Sequence, residues 1–119
     1  MNTVPIVRNV IDTEQFEEMR DLLEDEFVDL VQAYLSDSKV RIETMRHALT
    51  LGDNAKGFDA AHTLKGASAN IGALRLTDLC YELQEACRHQ KIAKQAELIN
   101  RIEAELRTVQ QEINLRLGK

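Results

Sequence analysis

From Phe16 to Ile113 the apolar residues recur in steps of three and four, and almost nothing interrupts them. That spacing places them on single stripes of helices and leaves no run of strand alternation. One proline (Pro5) and five glycines are too little punctuation for the many turns of an all-β fold. Asp12 followed by Thr13, Glu14 and Gln15 is a helix start, a side-chain cap with an acidic residue in the first turn. Phe16, Met19, Leu22 and Leu23 follow it as a short helix. A long helix is predicted from about Asp25 to Leu51, with Phe27, Val31, Tyr34, Leu35, Ile42, Met45 and Leu49 inward and Ser38 as the polar member of that face. Gly52 ends it, and Asp53 or Asn54 caps the next.

The third helix presents Ala61, Leu64, Ser68 and Ile71 and stops at Gly72. A fourth, from about Ala73 to His89, presents Leu76, Leu79, Cys80, Leu83 and Cys87; the last carries Ile92, Ile99, Ile102, Leu106, Val109 and Ile113. Four substantial amphipathic helices with short connections predict an all-α, antiparallel up-down four-helix bundle. The short N-terminal helix packs across one end, and residues 1–11 read as a loosely attached, extended lead-in. The 119 residues suit one domain, 1–119. With 44% hydrophobic but only 4% aromatic residues, its core is expected to be aliphatic.

Charge and cysteine usage narrow the function. A net charge of −5 disfavours nucleic acid and anionic membrane, both bound through positive surface. No apolar run approaches the ~18 residues of a membrane span, and no signal-peptide core is visible. Cys80 and Cys87 stand seven apart on one helix, about 10 Å at ~1.5 Å rise per residue, too far for a disulfide. A reduced, cytoplasmic, soluble protein is the reading. Gly-rich phosphate loops, C-x-x-C pairs and H-x-x-x-H pairs are missing, so no cofactor or metal is expected.

The chemistry concentrates between Ala60 and Arg88. Taking Ala61, Leu64, Ser68 and Ile71 as the inward direction, His62 points roughly 140° away at about 100° per residue. Gly66, one turn on, shares that outward face, and Lys65 flanks it. Gly within a helix costs ~1 kcal/mol relative to Ala, and close approach of another molecule is one reason to keep it. Folding the hairpin about Ala73 sets His62, eleven residues before it, level with Gln84, eleven after. Gln84 is then placed to accept from one imidazole nitrogen and leave the other lone pair free. Arg88 falls level with Phe58 as a second positive group. Each of these residues alone reads as ordinary helix surface, as His47 and His89 do; Gly57 reads as close packing. The conjunction of His62, Lys65, Gly66 and Gln84 is what marks a site.

This segment, Ala61-His62-Thr63-Leu64-Lys65-Gly66 with Ser68, Gly72-Ala73, Leu76, Cys80 and Leu83, strongly resembles the histidine-containing phosphotransfer (HPt) family. The resemblance extends through the acidic Glu24-Asp25-Glu26-Phe27 stretch that leads into the long helix. Gln84 departs from the commoner Glu but keeps an acceptor. The resemblance implies that His62 is phosphorylated on Nε2, from an aspartyl phosphate on one receiver domain and on to the aspartate of another. Lys65 then supplies a cation and Gly66 clearance, while Mg²⁺ belongs to the receiver. It implies a monomeric carrier between a hybrid sensor kinase and a response regulator, without ATP-dependent activity of its own. Ile11, Met19, Leu23 and Phe27 are candidates for an exposed apolar docking face. Two other readings stay open on the residues: a histidine kinase dimerisation segment, which would need an ATP-binding domain, and a structural adaptor bundle.

Overall fold

The computed structural model describes residues 9–118. Its helices are α1 (Thr13–Leu23), α2 (Glu26–Leu51), α3 (Asn54–Ile71), α4 (Leu74–Arg88) and α5 (Ala96–Arg116), with a 3₁₀ turn at Ile92–Lys94. No strand occurs among the described residues. Helices α2 to α5 pack neighbour to neighbour, and α5 closes back onto α2. That ring is the up-down bundle expected from the spacing.

The ends of the helices follow the predicted chemistry. Asp12 Oδ1 accepts from the Gln15 amide at 3.0 Å, and Asp53 Oδ1 caps α3 from the Lys56 amide at the same distance. Gly52 and Gly72 take left-handed φ of 67° and 86°, closing α2 and α3. The last predicted helix divides: Ile92 sits on the separate 3₁₀ turn, where its N–H donates to Asn54 Oδ1 at 2.9 Å. Asn54 thus fastens the α4–α5 connection to the start of α3 instead of capping it.

The N-terminal region corrects the expectation most. Residues 1–8 of the lead-in, Pro5 included, lie outside the described residues. Its last residue, Ile11, is fully buried, and the Asp12 amide donates to the Gly72 carbonyl at 2.8 Å. Gln15 Nε2 donates to the Asn70 carbonyl at 3.1 Å, and Arg20 Nη1 to the Arg116 carbonyl at 3.2 Å. Helix α1 therefore seals the end of the bundle where α3 and α5 finish. Beneath it Phe16 meets Phe27 edge to face, ring centroids 5.0 Å apart. The core is aliphatic except for this aromatic plug and Tyr34. Ile11 and Phe27 belong to it, so neither is a docking residue.

Candidate functional site

Helices α3 and α4 form the antiparallel hairpin on which the site is built. Its inner face is fixed by burial: Ala61, Leu64, Ser68 and Ile71 face Leu76, Cys80 and Leu83 in the core. Ser68 Oγ lies 2.8 Å from the Tyr34 hydroxyl, and Ser38 Oγ donates to the Tyr34 carbonyl at 2.6 Å. These bonds satisfy the buried hydroxyls where α2 and α3 touch. Burial pushes the Tyr34 hydroxyl up to about 12, and the Cys80 and Cys87 thiols to about 12 and about 11. All three stay protonated at neutral pH. Both cysteines are free, and buried protonated thiols make poor nucleophiles.

With that face inward, His62 is exposed on the opposite side of α3. Its Nδ1 lies 3.0 Å from Gln84 Oε1, as the count about Ala73 requires. An amide oxygen only accepts, so Nδ1 carries the proton and Nε2 keeps its lone pair. The Phe58 ring stacks on the imidazole with centroids 5.8 Å apart and planes 10° from parallel. Two side chains from different directions thus set the ring: Gln84 its rotation, Phe58 its tilt.

One turn on, a Cβ built on Gly66 would meet nothing within 4 Å beyond the backbone of its own helix. The space above the helix there is open. Lys65 is half-buried and holds its ammonium 5.5 Å over the ring of Tyr81. Arg88 lines a cleft with Phe58, level with it as expected, but its Nη2 pairs with Glu85 Oε1 at 3.1 Å. Its charge is offset by that neighbour. Among the described residues no group of three or more His, Cys, Asp or Glu is arranged to hold a metal ion, and no helix is long and apolar enough to cross a membrane.

Three residues of the site escaped the sequence reading: Phe58, Tyr81 and Glu85. Tyr81 stands eight residues after Ala73 and Lys65 eight before, so the count that found Gln84 also finds Tyr81. Phe58 carries an i, i+4 signal to His62. Of the remaining docking candidates, Met19 and Leu23 are half-buried. The exposed apolar side chains near them are Leu22 and Leu30, at 82% and 42%.

Comparison with known proteins agrees with this fold. A sequence model of the Hpt domain matches residues 29–112. Histidine-containing phosphotransfer protein 5 of Arabidopsis thaliana is 35% identical over 80 residues, covering 61% of this chain and 51% of that protein. The chain therefore spans about half the length of that relative. Histidine-containing phosphotransfer protein B (HptB) of Pseudomonas aeruginosa PAO1 superposes with a TM-score of 0.86 at 29% identity, covering 90% of this chain and 93% of its own. Yeast YPD1P superposes with 0.88 over 98% and 99% at 13% identity, which shows the shared fold. By its sequence match, and by a bundle that holds one exposed histidine against an amide, the chain belongs to the Hpt domain family of histidine phosphotransfer proteins.

Proposed function

We propose that this protein is a phosphorelay carrier in which His62 accepts a phosphoryl group from a receiver-domain aspartate and returns it to another. The observation that carries the proposal is the 3.0 Å bond from Nδ1 of an exposed imidazole to Gln84 Oε1, beside the open surface at Gly66. In the forward step the Nε2 lone pair attacks phosphorus in line. The N–P bond forms as the P–O bond to the receiver's aspartate breaks, and the carboxylate leaves with that electron pair. Positive charge develops on the imidazole, and its Nδ1 proton stays in place, donated to Gln84 Oε1. No proton has to move during transfer, so position and charge do the work. Lys65, swung off Tyr81, supplies a cation to the phosphoryl oxygens. The receiver brings its own Mg²⁺, and this chain contributes no ATP site.

The receiver covers the outward strip of α3 and extends over α1 and α2. A mostly apolar groove there is lined by Met19, Leu30, Ala33, Ala67 and Asn70. It replaces Ile11 and Phe27 in the docking face; Met19 remains. The donor is the receiver of a hybrid sensor kinase, the acceptor that of a response regulator, and the carrier is a cytoplasmic monomer.

Mixing the protein with phosphorylated receivers tests the proposal. Phosphate that is labile in acid and stable in alkali is expected on the protein, with amide shifts clustered at His62, Lys65, Ala69 and the groove. A bundle that binds receivers but takes up no phosphate is an adaptor. A shift cluster around Leu106 would move the interface to the other side of the bundle.

A further inference from the structure

Gln84 can orient His62 only if its amide faces the right way. The residue is 8% exposed, with Oε1 3.0 Å from His62 Nδ1 and Nε2 3.5 Å from Glu85 Oε2. Rotating the amide by half a turn preserves its shape and exchanges donor for acceptor. In that state Nε2 would donate to Nδ1, which must then be unprotonated. The ring proton would sit on Nε2, and the nucleophilic lone pair would be gone. The same rotation would turn Oε1 towards Glu85 Oε2, setting two acceptors against each other with no proton between them. The carboxylate therefore favours one amide orientation and opposes the other. Its other oxygen is held at 3.1 Å by Arg88 Nη2, so Glu85 is itself anchored.

We infer that Glu85 is a positioning residue for phosphoryl transfer: it fixes which end of the Gln84 amide meets His62, and thereby which imidazole nitrogen is the nucleophile. The inference rests on the reading of His62 as the phosphoacceptor. It also gives Arg88 a task away from the phosphoryl group, that of holding Glu85 towards the amide. The residues form a chain along one helix edge, from Arg88 through Glu85 and Gln84 to the ring.

The ring nitrogens report the tautomer directly. In the full-length protein, above the pH at which the imidazole protonates, nitrogen NMR of His62 should show a protonated Nδ1 and a bare Nε2. In Glu85→Ala both tautomers should be populated, with ring shifts moving towards each other. Transfer should slow by the lost fraction of competent ring, about twofold where the two tautomers become equal. Glu85→Asp should recover part of both. Gln84→Glu offers two oxygens that only accept and needs no lock. In that background Glu85→Ala should change neither the ring shifts nor the rate of the Gln84→Glu protein. Ring shifts in Glu85→Ala identical to wild type would overturn the inference, as would an undiminished Glu85 effect in the Gln84→Glu background. Labelling of a histidine other than His62 would instead overturn the phosphoacceptor reading, while leaving the tautomer measurement intact.

Discussion

Gly57 and Gly66 lie nine residues apart on α3, and a helix former at either would be preferred by ~1 kcal/mol on propensity alone. Their surroundings differ completely. A Cβ at Gly57 would come within 2.8 Å of Cys87 Sγ and 3.1 Å of Ile92 Cδ1, whereas at Gly66 it would meet nothing within 4 Å. The first glycine lets α3 close on α4 and on the 3₁₀ turn. The second has no packing reason inside the molecule, which supports the proposal that it leaves clearance for a receiver. On the proposed function, helix α3 separates two tasks by direction: its inward side holds the bundle together, and its outward strip of His62, Lys65 and Gly66 receives the partner.

The hardest blow to that division is His62→Gln. The ring is exposed and leaves no cavity, so the melting temperature should hardly move. Phosphate acceptance should vanish. His47→Gln and His89→Gln, both at exposed positions, should keep it. Undiminished labelling of the His62 variant would show that the outward strip is not the site at all.

Lys65→Ala sharpens the same side. Over Tyr81 the ammonium gains ~0.5–1 kcal/mol at an exposed site, less than the ~1.5–3 kcal/mol of a hydrogen bond to a charged group. The lysine should therefore leave Tyr81 for the phosphoryl oxygens, and its loss should slow transfer by ~1–3 kcal/mol while receiver affinity falls little. Gln84→Ala should cost less, since it biases the ring without touching the phosphoryl group. The reverse ranking, read from single-turnover rates, would mean that orientation outweighs charge.

Gly66→Gln separates stability from function. In open space the substitution should add up to ~1 kcal/mol of helix stability. Its side chain would project one turn from His62 into the path of the incoming aspartyl phosphate. Transfer should slow at least tenfold, ~1.4 kcal/mol. A stabilised variant that transfers at the wild-type rate would remove clearance as the reason for this glycine.

Much of this was readable from the sequence because helical period is a local property. The inward stripes, the Gly52 and Gly72 ends and the Asp12 and Asp53 caps all follow from spacing and cap chemistry. The pairing of His62 with Gln84 needed one further assumption, a hairpin folded about Ala73, and the 3.0 Å bond follows from it. What failed was non-local. Helical period sets Phe27 inward on α2, and there the Phe16–Phe27 contact buries it; only the family resemblance offers Phe27 as docking surface, and a resemblance does not show that α1 lies over it. Nor can periodicity tell that Ile92 is drawn off the last helix by Asn54. Glu85 was invisible for another reason. Its role depends on which end of an amide faces which neighbour, and a sequence does not contain that.

The smallest expected effect comes from Gly57→Ala, because two terms oppose each other. The added methyl favours the helix by ~1 kcal/mol, but it enters a filled region, where overpacking costs ~1–3 kcal/mol. Cys87 Sγ has little room to retreat, since the thiol is buried beside Ile92 and has only one rotatable side-chain bond. The clash should win by about 1 kcal/mol, lowering the melting temperature by a few degrees. Cys87→Ala removes the obstructing atom, so combining the two substitutions should cost less than the sum of the single changes. Thiol chemistry gives an independent readout. Burial raises Cys87 to about 11, so in the wild type it should alkylate slowly at neutral pH. In Gly57→Ala the displaced sulfur should react faster. Phosphoryl transfer should stay at the wild-type rate throughout, since this glycine faces inward. A Gly57→Ala protein that is stabilised, with Cys87 still protected, would show that the contact can relax at no cost. The two glycines would then no longer differ in what they do for the fold.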